Sequence, residues 1–422
     1  MLSHKLFLVG TVLLISGTAL GQVDLRIACG AVGNELEFCR SAAETWAENT
    51  GNKVTVVTTP NSSTERLALY QQQLAAGSTG IDVYVIDVVW PGVLAGFLLD
   101  LTPYVDPKIT GAHLPQIIEN NTVDGKLVAL PFYTDVGILY YRSDLLEKYG
   151  YSDPPATWEE LTQMAGKIQA GERQSNSQFW GLVFQGAAYE GLTCDALEWI
   201  DAYGGGTIVD SEGQITINNP AVIRGITQAA GWIGEIAPRG VMSYTEEEAR
   251  GVFQAGNAAF MRNWPYAYAL AQGEDSPIKG AVAVAPLPKG DVPEGKPTGT
   301  LGGWQLAVSK FSAHPEEAAD LAIYMTGREE QKRRAVEASF LPTYPELYQD
   351  PEILAANPMM GMVYEPLTNA VARPSRVVKG KYNQVSSAFW TAVHQVLSGQ
   401  AKPEAAFQSL EAQLKRTGGR GW

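Results

Sequence analysis

The sequence predicts an α/β protein folded as two lobes, and three observations carry that expectation. The chain has 422 residues, too many for one ordinary domain and enough for two lobes of about 150–200 residues each. Residues 25–87 alternate short apolar runs with helical patterns, the order that builds a parallel sheet with helices on its faces. Residues 286–303 are rich in Gly and Pro and poor in large apolar side chains, which marks a connection, and a strand-and-helix pattern returns after them.

The elements follow in order. Residues 1–21 have the form of an export signal: Lys5 supplies a positive start, Leu6 to Leu14 is mostly apolar but too short to span a bilayer, and Ala19-Leu20-Gly21 is a small-x-small cleavage site. Cleavage is expected before Gln22, which is not a Cys and so cannot take a lipid there. No later stretch reaches about 18 uninterrupted apolar residues. Leu25-Arg26-Ile27-Ala28-Cys29 reads as the first strand. A Gly-bearing turn follows, and Asn34 is placed to cap a helix with Glu35 and Glu37 in its first turn. Val54 to Thr58 reads as a second strand and Arg66 to Ala75 as a helix. Val83 to Ile86, ended by Asp87, suits a buried parallel strand with a polar residue at its carboxyl end.

Leu130-Pro131-Phe132-Tyr133 marks the passage to the second lobe. Thr157-Trp158-Glu159-Glu160 has the spacing of a capping box, and Leu161, Met164, Ala165 and Ile168 then follow at helical intervals. Gly204-Gly205-Gly206 is a loop. Trp304 to Val308 is strand-like, and Pro315-Glu316-Glu317 opens a helix with Ala318, Leu321, Ala322 and Met325 on one face. Near the end, Phe389, Ala392, Val393 and Val396 form one stripe, and Pro403 starts another helix.

Charge and cysteine content exclude several functions. The formal net charge is −14, and removing Lys5 with residues 1–21 leaves −14 − 1 = −15. Such a balance argues against nucleic acid and anionic lipid as partners and suits a soluble, abundant protein. The three cysteines are Cys29, Cys39 and Cys194. The preferred expectation is three buried, unpaired thiols; an export signal also permits Cys29–Cys39, the one pair close in sequence. Four His and no Cys/His cluster give no basis for a structural zinc site or another cofactor.

The polar residues at strand and helix ends are the candidate site, since open α/β sheets bind ligands there. Carboxylates and amides bond hydroxyls in fixed directions, guanidinium groups add charged donors, and aromatic faces cover the C–H face of a pyranose. A pocket built this way rejects analogues that leave its buried polar groups unpaired. Glu35 sits at a helix start, where it also compensates the helix dipole. Asp87 precedes Val88-Val89-Trp90 and could equally cap the next turn. Tyr133 and Asp135 lie in the crossover, Trp264 and Tyr266 flank Pro265, and Trp304 follows Gly302-Gly303. Aromatic residues there also serve an ordinary core, and Arg66 and Arg373 also read as surface charges.

Taken together, several segments resemble the periplasmic substrate-binding proteins of ABC importers, in the maltodextrin-binding cluster and nearest the trehalose/maltose-binding proteins. They are Gly33-Asn34-Glu35-Leu36-Glu37, Ile86-Asp87-Val88-Val89-Trp90, residues 129–135, residues 140–146, Tyr189-Glu190-Gly191-Leu192, residues 262–267, Leu301-Gly302-Gly303-Trp304 and Ala372-Arg373-Pro374. The resemblance runs over nearly the whole mature chain, in order. It implies the type II periplasmic binding protein fold, with a ligand cleft between hinged lobes. Lobe one would take residues 22–134 and 300–345, and lobe two 135–299 and 346–422. Glu35, Arg66 and Asp87 would hold hydroxyls of one glucose, with Tyr133 and Asp135 near the crossover. Trp264, Tyr266 and Trp304 would wall the second glucose, Gly302 and Gly303 would give backbone access, and Arg373 would close the cleft from lobe two. Glu190 joins this set, while the loop Asn61 to Thr64 has no assigned contact.

The same resemblance implies a periplasmic monomer that is not an enzyme. It would capture an α-linked disaccharide, trehalose or maltose, by hinge closure and deliver it to an ABC permease. Another cargo on the same fold (sucrose, another α-glucoside, a longer maltodextrin or a polyol) is the alternative. A glycoside hydrolase also needs two carboxylates, about 5–10 Å apart, between aromatic walls, but no motif here assigns an acid and a nucleophile.

Overall fold

Continuous apolar runs place buried strands at the centre of each of two sheets. The computed structural model describes residues 22–422; the expected export signal and its cleavage site lie outside them. The first sheet has five strands, ordered Lys53–Thr58, Asp24–Cys29, Val83–Asp87, Leu301–Val308 and Leu130–Val136. The first three pair in parallel, as the β-α-β-α-β order requires. Val83–Asp87 is parallel on one edge only, because Leu301–Val308 returns antiparallel to it on the other. The second sheet has four strands, ordered Val282–Ala285, Ile138–Arg142, Ala258–Asn263 and Trp180–Val183. Among the described residues, no helix is long and apolar enough to cross a membrane.

Most helical expectations match. Thr157 and Glu160 form the reciprocal capping box at the start of Trp158–Glu172. Pro315–Thr326 and Pro403–Gly418 begin at their prolines, and Phe389, Ala392, Val393 and Val396 are buried on Tyr382–Leu397. Two local expectations need correction. Asn34 stands at the start of helix Glu35–Thr50 but makes no side-chain cap; the Val32 N–H instead donates to Glu35 Oε2 at 3.4 Å. Cys29 and Cys39 are disulfide-bonded, with Cα atoms 6.3 Å apart. The strand end and the inner face of the next helix bring them within disulfide reach, and Cys194 alone is free and buried.

The chain passes between the sheets at Gly137, at 286–300 and near 370. These crossings lie side by side. Gly137 N–H donates to Thr300 O at 3.2 Å, Leu301 N–H to Val371 O at 2.9 Å, and Val371 N–H to Gly299 O at 2.9 Å. The connection therefore ends at Thr300, and Leu301-Gly302-Gly303 already belongs to a strand. Helices Pro351–Ala356 and Met360–Thr368, expected with lobe two, pack on the first sheet's side. Their Ile353, Met360, Val363 and Leu367 join Leu341 and Phe132 in one core. Helices Tyr382–Leu397 and Pro403–Gly418 pack with Glu190–Ala202 and Pro220–Trp232 on the other.

Candidate functional site

The ends of the first sheet's central strands face the segment after strand Ala258–Asn263 and the starts of helices Glu190–Ala202 and Glu246–Gln254 across a cleft. Eleven of the twelve expected residues line it: Glu35, Asp87, Tyr133, Asp135, Glu190, Trp264, Tyr266, Gly302, Gly303, Trp304 and Arg373. Arg66 does not. It is fully buried behind the wall, donating to Glu35 Oε1 at 3.4 Å and, through Nε, to Pro60 O at 3.2 Å. Its guanidinium lies 4.2 Å from the Trp304 ring. Arg66 therefore orients an acid and an indole rather than facing the cavity. Gly30 makes room for this, since a Cβ there would sit 2.0 Å from Glu35 Oε2 and 2.3 Å from Arg66 Nη2.

Asp87 closes the turn that follows it and also lines the cleft. Its Oδ1 accepts from the Val89 N–H at 3.1 Å, closing the turn, and from Arg373 Nη2 at 2.9 Å. Arg373 Nη1 donates to Glu190 Oε1 at 2.8 Å. Arg373 thus lies in the third crossing and joins an acid of the first lobe to one of the second. The two acids compensate its buried charge. Glu190 also accepts from Ser386 Oγ at 2.7 Å and from Tyr382 Oη. Burial raises the Glu190 carboxyl against the lowering effect of Arg373.

Asp135 differs from these acids. It lies on Leu130–Val136 opposite Gly302, is only 6% exposed, and its Oδ1 has no hydrogen-bond partner. Burial first, then the charges of Glu35 and Asp87, push its carboxyl well above the usual carboxylate range. A buried acceptor left without a donor costs about 1–3 kcal/mol.

Aromatic walls close the cleft. Trp304 pairs in register with Asp87 and Tyr133, and its ring meets Trp90 edge-on at 5.6 Å. Gly303 has φ +121°, and a Cβ there would lie 2.7 Å from Thr134 Cα; the strand irregularity follows between Trp304 and Gln305. Across the cleft, Trp264 is half-buried, with the Arg262 guanidinium 3.9 Å from its ring. A Cβ on Gly302 would come within 3.0 Å of that indole. Tyr266 donates to Glu247 Oε1 at 2.6 Å. Tyr133 packs on Phe340 at 4.6 Å between centroids.

Sequence reasoning missed Glu246 and Phe340, which also line the cavity, and gave no assignment to Asn61 and Ser63, which do so too. Glu246 opens a helix within an acidic triplet, a pattern that reads as ordinary dipole compensation. In the first turn of helix Ser63–Ala75, Thr64 Oγ1 accepts the Glu190 N–H at 3.1 Å, tying the lobes together. Five carboxylates and one guanidinium thus face the cavity, a composition suited to hydroxyl donors and unsuited to anions. Among the described residues, no group of His, Cys, Asp and Glu could hold a metal ion.

Two α/β lobes joined by three crossings, with a polar and aromatic cleft between them, define a two-lobed periplasmic-type solute-binding protein. Residues 34–332 match the family "Bacterial extracellular solute-binding protein". A "Probable ABC transporter-binding protein" of Deinococcus radiodurans is 55% identical over 98% of both chains. The solved structure "Maltose bound T. maritima MalE3" has a TM-score of 0.88 at 41% identity, covering 93% of this chain and 99% of that one. A Thermotoga lettingae solute-binding protein with bound α-D-tagatose has a TM-score of 0.83 at 24% identity, covering 94% and 99%, and shares the fold. This chain belongs to the bacterial extracellular solute-binding protein family, whose members are binding proteins and not enzymes.

Proposed function

We propose that the protein captures an uncharged α-linked disaccharide, maltose or trehalose, and hands it to an ABC permease. The observation that carries this reading is Asp135: a buried carboxylate with an unpartnered oxygen, facing a cleft walled by Trp264 and Trp304. A sugar hydroxyl supplies the missing donor, and the indoles cover the ring faces. Glu35, Asp87, Glu190 and Glu246 take further hydroxyls, Gly302 and Gly303 let the sugar approach the backbone, and Arg66 acts through Glu35. The 41% identity to a maltose-bound structure supports the same ligand class.

Capture proceeds by hinge closure about the three crossings. Only contacts stronger in the closed form can drive it, and the site supplies them from both lobes. Lobe one comprises residues 22 to about 136 and about 300 to 370, and lobe two the remainder. The protein works as a monomer in the periplasm.

Calorimetric titration with maltose, trehalose, sucrose and glucose tests the reading. Binding of maltose or trehalose, tighter than glucose and unaffected by calcium chelation, is expected. Preference for sucrose keeps the fold and changes the cargo; no heat with any disaccharide defeats the assignment.

A further inference from the structure

We propose that Glu198, which touches no part of the cavity, is a positioning residue that couples the Trp264 wall of the cleft to the hinge. The inference rests on Trp264 being a ligand wall. Glu198 lies on helix Glu190–Ala202 and is fully buried. Its Oε2 accepts from Arg262 Nε at 2.8 Å, and its Oε1 accepts from Arg262 Nη2 and from the Thr300 N–H at 3.0 Å. One carboxylate therefore holds both the guanidinium stacked on Trp264 and the backbone of the second crossing.

The first crossing touches the same atoms. A Cβ on Gly137 would lie 1.9 Å from Glu198 Oε1 and 2.5 Å from Arg262 Nη2, so glycine is what allows the hinge backbone to lie against the ion pair. Thr300 Oγ1 donates to Cys194 O at 2.8 Å, fixing the second crossing to the same helix. The third crossing is one residue further on, through Leu301 N–H and Val371 O. On the other side, Arg262 is held by Gln185 Oε1 at 3.1 Å and Asp195 Oδ1 at 3.0 Å.

A buried ion pair is a poor device for stability, since apolar residues of the same volume often do as well. A bidentate pair does fix direction. Here the fixed direction runs from the indole to the three strands about which the lobes rotate. A sugar pressing on Trp264 acts on Arg262, then on Glu198, then on Gly137 and Thr300. The ligand thereby biases the first two crossings through residues that lie outside the cavity.

The test is a double-mutant cycle with Glu198→Gln and Trp264→Ala, read by maltose and trehalose titration and by the contraction in small-angle X-ray scattering on adding sugar. Glu198→Gln is expected to weaken binding about ten-fold and to reduce the contraction at saturating sugar. In the Trp264→Ala background it should cost far less, a shortfall of about five-fold or more from additivity. Gly137→Ala, which pushes on the same carboxylate, should reproduce the single-variant result if Glu198→Gln does not fold. Additive costs, or a lowered melting temperature with wild-type affinity and contraction, overturn the coupling while leaving the binding function intact. Wild-type protein that binds neither sugar overturns both.

Discussion

Replacing Asp135 by Asn separates binding from folding, because the two should move in opposite directions. The carboxylate is 6% exposed and Oδ1 is unpartnered, and burial with the charges of Glu35 and Asp87 raises its pKa. A raised folded-state pKa means that the group's contribution to folding is most favourable below its unfolded value of about 3.9 and is lost as pH rises through the folded value. At neutral pH the empty protein therefore carries a cost. Asn keeps the shape and removes the charge. The sugar-free variant should gain about 1–3 kcal/mol at pH 7, the cost of an uncompensated buried group, which is about 2–4 °C per kcal/mol for a unit of 150–250 residues. The gain should shrink toward pH 4. Affinity should fall instead: a hydrogen bond to a charged acceptor contributes about 1.5–3 kcal/mol, or roughly 10- to 150-fold. Thermal melts at pH 4.5 and 7.5 without sugar, with calorimetry at pH 7.5, check both. A variant that binds as wild type, or that melts lower when empty, refutes the reasoning.

Trp264→Ala should weaken disaccharide binding by about 1–3 kcal/mol as a central wall, with the melting temperature of the empty protein nearly unchanged because the ring is half-buried; calorimetry and a thermal melt distinguish this from a core role. Arg373→Met leaves Asp87 and Glu190 buried without their shared cation and should cost about 3–5 kcal/mol near neutral pH. Losing the cation raises the Glu190 carboxyl further, so the variant should recover stability as pH falls and that group protonates; melts across pH 4.5 to 8 read this directly. Alkylation of the unfolded, unreduced protein followed by mass measurement should add one label, on Cys194, and three labels would show that Cys29 and Cys39 are unbonded.

Residues that act through short-range pattern were legible in the sequence. Asp87 ends an uninterrupted apolar strand, Pro315 and Pro403 start helices, and the capping box at Thr157 is visible four residues at a time. The site residues were individually ambiguous and gained meaning only as an ordered set, since strands from both halves of the chain converge on one cleft. What stayed hidden depends on three-dimensional partners. Arg66 and Arg373 are both buried guanidiniums, yet one supports the wall and the other joins the lobes. Nothing local to either residue tells them apart. Glu246 is masked by its acidic neighbours, and the position of the third crossing depends on where Met360–Thr368 packs rather than on any turn signal.

The most direct measurement is a crystal structure of the protein grown with maltose or trehalose. Density for two hexose rings between Trp264 and Trp304, with a ligand hydroxyl donating to Asp135 Oδ1, is the expected result. Sugar bound elsewhere, or in this cleft with that carboxylate oxygen still unpartnered, would contradict the account.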